Sequence, residues 1–347
     1  GSICGTFLAG FVLIAYFGST SILLVLSGTL AALSLCASTQ TCRIAKVALL
    51  VASMTGLPLV ASYAAFMARQ GLTDVDTPYQ KVLVSEGKDE RSGRAVRLMM
   101  TNPGETQSAM YLDGDDELVL EYTKFFRLAT HFNPRMKNAL MIGGAGYSYP
   151  KDYLLRHRHA AMDVVEIDPG VTALARRYFN LKDDPRLTIH HEDARTYLNR
   201  SRKTYDAIFG DAYRSFYSIP YHLATREAAR KMYERLSDDG VVLVNIISAI
   251  EGEKGKFLRA EYATFRSVFP QVYLFTVGTN GDGSQVQNIV LVALKSEMKA
   301  GFHSDDEEMD GYLRHLWAGT VSCDLPALTD EYAPVDTYIM EVIRDAM

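Results

Sequence analysis

Four short apolar runs in the middle of the chain each end on a glycine or an acidic residue. The first, residues 139–142, leads into a Gly-Gly-Ala-Gly turn, and the second, residues 162–168, ends on acids that include Glu166. Asp193 and Asp211 follow the third and fourth runs. Apolar runs that alternate with helical segments are typical of parallel strands, whose ligands bind at the carboxyl ends. We therefore expect a doubly wound α/β sheet with its site at these strand ends.

The polar residues at the strand ends indicate an adenosine ligand. A glycine turn lets the backbone approach a ligand closely. An acid about 20 residues further on, the place of Glu166, accepts hydrogen bonds from ribose hydroxyls, and Asp193 is placed to accept from an adenine amino group. The turn is not the full G-x-G-x-x-G of a dinucleotide site, so we expect adenosine without pyrophosphate. An NAD-type ligand and a purely structural role stay open as alternatives.

The chain before residue 70 is apolar and carries only three charged residues, all of them basic. Its apolar runs, residues 6–17, 21–37 and 44–67, approach the roughly 20 residues that a membrane helix needs. We therefore predict transmembrane helices in residues 1–69, and a multi-pass protein of the inner membrane whose catalytic domain is cytoplasmic. The number and orientation of the spans stay open, and a buried helical hairpin is the alternative.

The rest of the chain divides into three parts. Residues 70–78 have the composition of a linker, and residues 79–118 contain short strand patterns typical of a small β-domain. A helix over about residues 119–132 then begins a Rossmann-like nucleoside-binding domain, residues 119–347. The net charge of −5 excludes the basic face expected of a nucleic-acid-binding protein. The four cysteines show no CxxC spacing, so we expect no metal site.

Several ordered motifs resemble the spermidine synthase (polyamine aminopropyltransferase) family, and more closely its membrane-fused bacterial branch. The motifs are Tyr-Gln at 79–80, Leu-Asp-Gly at 112–114, Gly-Gly at 143–144, Glu-Ile-Asp at 166–168, Asp-Ala at 193–194 and Leu-Thr-Asp at 328–330. The resemblance implies a Rossmann-like fold of the class I methyltransferase type, a homo-oligomer, and no cofactor beyond a sulfonium substrate. Together with the strand ends, it gives the candidate nucleoside-binding residues Gln80, Gly143, Gly144, Gly146, Glu166, Ile167, Asp193 and Ala194.

The resemblance also implies a catalytic residue. Asp211 falls where the family keeps its catalytic Asp, and the nearby Tyr213 offers an aromatic face that suits a sulfonium cation. A helix N-cap is the structural alternative for Asp211, and ordinary packing is the alternative for the tyrosines. The candidate substrate contacts are Asp113, Glu117, Tyr122 and Tyr147.

The sequence departs from the family pattern in the substrate site. Gly146 stands where the family has an Asp that contacts the aminopropyl nitrogen of decarboxylated S-adenosylmethionine. A carboxylate there would repel the carboxylate of intact S-adenosylmethionine by a few kcal/mol at about 4 Å. Glycine removes that repulsion, and we expect it to leave space.

Four activities therefore stay open. Two of them cleave the S–Cγ bond and release 5'-methylthioadenosine: aminopropyl transfer to a polyamine, and lyase action on S-adenosylmethionine that gives homoserine lactone. S-adenosylmethionine-dependent methyl transfer is the third. The fourth is a membrane-bound sensor that binds the nucleoside without turnover.

Overall fold

The chain forms two compact units, Gly1–Thr106 and Gln107–Met347. The structure, a computed structural model, describes residues 2–7, 19–37, 43–69, 71–102, 105–212, 219–278 and 281–346.

The first unit begins with helices α1 (Ser2–Phe7), α2 (Ser19–Ala37) and α3 (Arg43–Arg69). Helices α2 and α3 pack against each other, and the hydroxyl of Ser53 donates a hydrogen bond of 3.2 Å to the hydroxyl of Ser27. The apolar runs thus form a helical pair that is held partly by small and polar residues.

The predicted inner-membrane location is wrong, and most of the first apolar run, residues 6–17, lies outside the described residues. Within the described part of the chain, no helix combines the length and the apolar character that crossing a bilayer requires. The expected membrane helices in residues 1–69, the inner-membrane location and the membrane partner are not retained.

Three antiparallel strands complete the first unit: β1 (Thr73–Asp76), β2 (Lys81–Lys88) and β3 (Ala95–Asn102). Strand β1 lies inside the segment predicted to be a linker. Its sequence Thr-Asp-Val-Asp has one apolar residue and gives no strand signal of its own, but all four residues pair with β2. Strand β4 (Glu105–Tyr111) begins in the first unit and continues into the second.

The second unit is built on a seven-stranded sheet with the order β10–β11–β9–β8–β5–β6–β7. Strand β11 is antiparallel to both of its neighbours, and the strands from β9 to β7 are parallel. This layout confirms the predicted Rossmann-like fold of the methyltransferase type. The strands are β5 (Asn138–Ile142), β6 (Ala161–Val165), β7 (Leu187–His190), β8 (Tyr205–Gly210), β9 (Leu236–Ser248), β10 (Gln271–Thr276) and β11 (Gln287–Leu294).

Apolar side chains pack on both faces of this sheet. In β8, Ile208 belongs to a large hydrophobic core that includes Phe257 and Leu258. The next residue, Phe209, points to the opposite face and packs against Tyr149 and Phe126, with ring centroids 4.7 and 5.5 Å away. Both faces of the central strand are therefore buried.

The helices of the second unit connect these strands. The helix predicted for residues 119–132 is two short helices, α4 and α5, with Phe126 and Arg127 between them. The helices are α4 (Glu121–Phe125), α5 (Leu128–Phe132), α6 (Ser148–Arg156), α7 (Pro169–Tyr178), α8 (Ala194–Arg200), α9 (Arg226–Arg235), α10 (Lys256–Arg266), α11 (Glu307–Leu313) and α12 (Val335–Ala346).

The strand order reverses between β5 and β8. From β5 the sheet continues through β6 and β7 on one side, and through β8 and β9 on the other. Ligands of such sheets bind in the crevice at the carboxyl ends of the strands where the order reverses. The residues that follow β5 and β8 therefore locate the site.

Candidate active site

The turn after β5 meets the end of β8 through backbone contacts. The Asp211 amide donates to the carbonyl of Ile142 over 2.9 Å, and the Gly143 amide donates to that of Val165 over 2.9 Å. Gly143 has a φ of +92°, and a Cβ there would collide with the carbonyl oxygen of Asp211. Only glycine accepts this conformation at so close an approach.

Glu166 fixes the glycine turn. Its Oε2 accepts hydrogen bonds from the amides of Gly144 (2.9 Å) and Ala145 (3.4 Å), and its Oε1 accepts one from the amide of Asp168 (2.9 Å). Its side chain is buried, so these bonds compensate the loss of water around the carboxylate. Each carboxylate oxygen has two lone pairs, which leaves acceptor capacity for a ligand hydroxyl.

Asp211 is half-buried and held by two hydrogen bonds. Its Oδ2 accepts from the hydroxyl of Tyr122 over 3.0 Å, and its Oδ1 accepts from Nδ2 of Asn245 over 3.3 Å. Burial raises the pKa of Asp211 to about 6, although both hydrogen bonds lower it. Burial and the neighbouring Asp211 raise the pKa of Tyr122 well above its usual value. Near neutral pH, Tyr122 is therefore the donor and Asp211 is mostly ionised.

A small cleft, partly open to solvent, is lined by Asp211. It is lined by the glycine turn, by Tyr122 and Tyr149, and by the hydroxyls of Ser108 and Ser148, among others. Among the lining residues that the structure describes, Asp211 is the one with a charged side chain. One carboxylate flanked by aromatic rings is an arrangement that suits a cation.

Asp193 has internal partners at the place predicted for adenine recognition. It caps helix α8, where its Oδ1 accepts from the amide of Thr196 over 2.8 Å, and its Oδ2 lies 3.1 Å from Nε2 of His222. Burial tends to raise the pKa of Asp193, but the Thr196 amide and His222 lower it on balance. Adenine would therefore have to share this carboxylate. Ala194, the first residue of α8, is buried, and Ile167 is half-buried.

Tyr147 is a fully buried packing residue. Its backbone is left-handed (φ 56°), its hydroxyl lies 2.7 Å from that of Thr172, and its ring packs against Gly144, where a Cβ would come within 2.7 Å of Cζ. The described residues that line the cleft do not include Tyr147. The packing alternative accounts for it, and the predicted substrate contact has no support.

The space beside Gly146 is already filled. A Cβ at Gly146 would lie 2.5 Å from Oγ of Ser108 and 3.0 Å from Cδ1 of Phe179. Ser108 lies 2.9 Å from the hydroxyl of Ser148, which donates to the carbonyl of Ala109. The expectation that this glycine leaves space for a substrate carboxylate is therefore wrong, because Ser108 occupies it.

The two acids predicted to contact substrate lie in other environments. Glu117 pairs with Arg127 at 3.0 Å. Arg127 is buried and also binds Asp152 (2.7 and 3.2 Å) and Glu308 (2.5 Å). Asp113 lies exposed in the turn after β4. The structure thus gives Glu117 a place in an ion-pair cluster, and it brings neither acid into the cleft lining described above.

Two further predicted residues cannot be placed at the site. Tyr213 lies outside the described residues. Gln80 belongs to the first unit, in the turn between β1 and β2, where its amide donates to Oγ1 of Thr77 over 3.1 Å. Their roles stay predictions.

Sequence reasoning missed three residues that the structure brings to the site or beside it: Ser108, Arg127 and Asn245. Asn245 had a detectable signal, because it is a single amide within the apolar run of residues 241–247. Ser108 and Arg127 had none, because their partners are distant in the chain. Within the described ranges, no group of three or more His, Cys, Asp or Glu side chains is arranged to hold a metal ion.

The chain matches the spermine/spermidine synthase domain over residues 122–297. A polyamine aminopropyltransferase of Vibrio vulnificus is 32% identical to it over 223 residues, which cover 63% of this chain and 71% of the relative. The chain therefore belongs to the spermine/spermidine synthase family and is a spermidine synthase-like transferase. These comparisons establish the family and not its membrane-fused branch.

Solved structures agree in fold. A probable spermidine synthase from Corynebacterium glutamicum superposes with a TM-score of 0.57 at 20% identity, covering 69% of this chain and 85% of that one. Spermidine synthase from Thermotoga maritima gives 0.52 at 18% identity, covering 78% and 85%.

Proposed function

We propose that the protein transfers the aminopropyl group of decarboxylated S-adenosylmethionine to an amine and releases 5'-methylthioadenosine. The observation that carries the proposal is the half-buried carboxylate of Asp211, which Tyr122 holds at a cleft beside the glycine turn. The family and the name of the Vibrio relative, polyamine aminopropyltransferase, support transfer as the reaction.

The adenosine part of the donor is assigned to the strand ends. Glu166 keeps one lone pair, on Oε1, for a ribose hydroxyl while it holds the turn amides. Asp193 lies after β7 and would accept from the adenine amino group, sharing its Oδ2 with His222. The aminopropyl arm then extends toward Asp211, since β5 and β8 are neighbours in the sheet.

The chemistry at Asp211 is a displacement at carbon. The lone pair of the acceptor nitrogen attacks the aminopropyl carbon attached to sulfur, and the S–C bond breaks with its electron pair moving to sulfur. The nitrogen gives up a proton, which Asp211 accepts. The sulfonium is already an activated leaving group, so the protein supplies alignment, exclusion of water and the base.

The environment of Asp211 suits a base that works near neutral pH. Its pKa of about 6 leaves the carboxylate mostly ionised at pH 7, and efficient general bases have a pKa near the working pH. A cationic amine within about 4–6 Å lowers a carboxyl pKa, so substrate binding favours the ionised form further.

One observation keeps lyase action on S-adenosylmethionine as a second candidate. Glu117 is engaged by Arg127, so the described cleft offers a carboxylate for one ammonium group only. In the lyase course, Asp211 holds the ammonium of S-adenosylmethionine and the substrate carboxylate attacks its own Cγ. A C–O bond forms and the S–C bond breaks, which gives homoserine lactone and 5'-methylthioadenosine.

A product assay separates the candidates. The purified chain is incubated with decarboxylated S-adenosylmethionine plus putrescine, with that donor alone, and with S-adenosylmethionine alone. We expect 5'-methylthioadenosine and an aminopropylated amine only in the first mixture. Formation of 5'-methylthioadenosine from S-adenosylmethionine alone would show that the protein is a lyase and not an aminopropyltransferase. S-adenosylhomocysteine, or binding without any product, would overturn both.

The role of Asp211 is tested by Asp211→Asn, which we expect to abolish turnover while calorimetry still detects 5'-methylthioadenosine binding. The matched control is Asp206→Asn, because Asp206 lies near the opposite end of the same strand and accepts from the amides of Lys137 and Asn138. The control is expected to keep its turnover. Full turnover by Asp211→Asn would show that Asp211 is not the base.

A further inference from the structure

A chain of side-chain amides runs behind Asp211 across two strands. Nδ2 of Asn245, on β9, donates to Oδ1 of Asp211 over 3.3 Å, and Nδ2 of Asn288, on β11, donates to Oδ1 of Asn245 over 2.9 Å. Gly210 pairs with Val244 in the sheet, which places the next residues, Asp211 and Asn245, side by side.

The sheet register explains why the two asparagines meet. Asn288 lies opposite Ile247, two residues beyond Asn245 on β9. Residues two apart on a strand point to the same face, and diagonal neighbours across an antiparallel pair lie within reach of long side chains. The amide chain is therefore a product of strand pairing and needs no loop.

The direction of this chain is dictated by Asp211. An ionised carboxylate only accepts hydrogen bonds, so Asn245 must turn its NH₂ group toward Asp211. Its carbonyl oxygen then faces Asn288, which must donate. The side chain of Asn245 is buried, and a buried amide is costly unless both of its ends are paired. Each end of Asn245 has its partner here.

We propose that Asn245 and Asn288 are positioning residues that hold the Asp211 carboxylate in the orientation required for proton transfer. The proposal rests on the proposed function of Asp211 as the base. With one oxygen fixed by Asn245 and the other by Tyr122, the plane of the carboxylate cannot rotate freely. Asn288 acts through Asn245 by keeping its amide in the donating orientation.

Few groups other than the amide chain contact Asp211 and could change its pKa. Tyr122 of helix α4 is the titratable group bonded to it, and Asn245 is its neutral partner from β9. The described lining of the cleft contributes no other charged side chain. The acid limb is the part of the pH profile in which activity falls as the pH decreases. A shift of this limb after substitution of Asn245 or Asn288 can therefore be attributed to loss of the amide chain.

The test is the pH profile of kcat/KM in Asn245→Leu, Asn288→Leu and the double variant. Leucine keeps the approximate shape and removes both amide functions. Loss of a donor to a carboxylate disfavours the ionised form, so we expect the acid limb to move up by about one pH unit in Asn245→Leu. A smaller upward shift is expected in Asn288→Leu. The double variant should match Asn245→Leu, because Asn288 has no route to Asp211 without Asn245.

Asn133→Leu is the matched control. Asn133 is also buried, and its Nδ2 donates to the carbonyl of Asp206 over 3.3 Å. We expect this variant to lose stability without any shift in the acid limb. The proposal is overturned if the pH profile of Asn288→Leu is unshifted. It is also overturned if the pH shift of the double variant equals the sum of the two single shifts.

A second measurement tests the amide chain independently of whether Asp211 is the catalytic base. The pKa of Asp211 also follows from the pH dependence of the unfolding free energy, compared with and without Asp211→Asn in each background. If Asp211 is not the base, its pKa still rises in Asn245→Leu while the activity profile stays in place. If Asn288 does not act through Asn245, the pKa of Asp211 either stays unchanged in Asn288→Leu or shifts further in the double variant than in Asn245→Leu.

Discussion

The hydroxyl of Tyr122 donates a 3.0 Å hydrogen bond to Oδ2 of Asp211, although the two residues are 89 positions apart in the chain. Tyr122 lies on the five-residue helix α4, and Asp211 follows the central strand β8. The buried ion pairs of Arg127 hold the chain just after α4. The orientation of the proposed base therefore depends on a short helix that has little stability of its own.

Tyr122→Phe tests this contact with the least change in shape. The ring stays and only the donor to Asp211 is lost. Since that donor lowers the carboxyl pKa, we expect the acid limb of kcat/KM to move to higher pH, with the loss of rate largest below pH 7. An equal loss at every pH would show that the hydroxyl acts on the substrate and not on Asp211.

Asp211→Asn is expected to stabilise the fold at neutral pH. Burial raises the pKa from 3.8 to about 6, so ionising this carboxyl costs more in the folded state than in the unfolded state. The cost is absent below about pH 4, grows as the pH rises between the two values, and is complete above about pH 6. A difference of about two units corresponds to about 3 kcal/mol at most.

Urea unfolding at pH 7.5 and pH 4 measures this difference. The variant should have the higher midpoint at pH 7.5 and should lose the advantage at pH 4. Equal midpoints at pH 7.5 would mean that water or a cation already compensates the buried charge.

Gly143→Ala is expected to damage both the fold and the site. The residue needs a positive φ, and its Cβ would meet the Asp211 backbone, so we expect a loss of at least about 2 kcal/mol and a large loss of activity. Gly114 also has a positive φ, but a Cβ there meets nothing within 4 Å. Gly114→Ala should therefore cost only about 1 kcal/mol. Similar effects in the two variants would contradict the close approach, and thermal unfolding with an activity assay measures both.

Arg127→Met is expected to cost about 3 kcal/mol, because it removes the buried partner of Asp152 and leaves that carboxylate only its 3.2 Å contact with the more exposed Arg156. Glu117 is more exposed, with 38% of its side chain accessible. Glu117→Gln should therefore change stability by about 1 kcal/mol or less, with an unchanged KM for the amine. A raised KM for the amine in Glu117→Gln would support the predicted contact between Glu117 and the substrate. Denaturant unfolding and steady-state kinetics decide this.

Gly146→Asp is expected to destabilise the second unit by about 1–3 kcal/mol, because Ser108 and Phe179 already fill the space. Adding Ser108→Gly should recover part of that loss. Full stability of the single variant, measured by thermal unfolding, would mean that the serine moves aside at no cost.

The strand ends of the second unit were predictable because sequence order and space coincide there. The apolar runs before Gly143 and Asp211 are strands β5 and β8, and the predicted run at residues 187–190 is strand β7. Parallel pairing then brings consecutive strand ends to one edge. The positions of the strand-end candidates Gly143, Glu166, Asp193 and Asp211 therefore emerged from local patterns, while the catalytic role of Asp211 came from the family resemblance.

The surroundings of the base were not predictable in the same way. Asn245 and Asn288 meet only through the register of β9 and β11, and Ser108 fills the space at Gly146 from a strand 38 positions earlier.

The hydrogen bonds from the amides of Gly144 and Ala145 to Glu166 limit which substitutions this position can accept during evolution. A residue that only touched a ligand could be exchanged to accept a different nucleoside. In the proposed function Glu166 would bind the ribose, but it also shapes the turn, so its replacement would release the loop along with the ligand. Variation in nucleoside preference would therefore be accommodated more readily at Asp193 and His222, whose contact lies outside the turn.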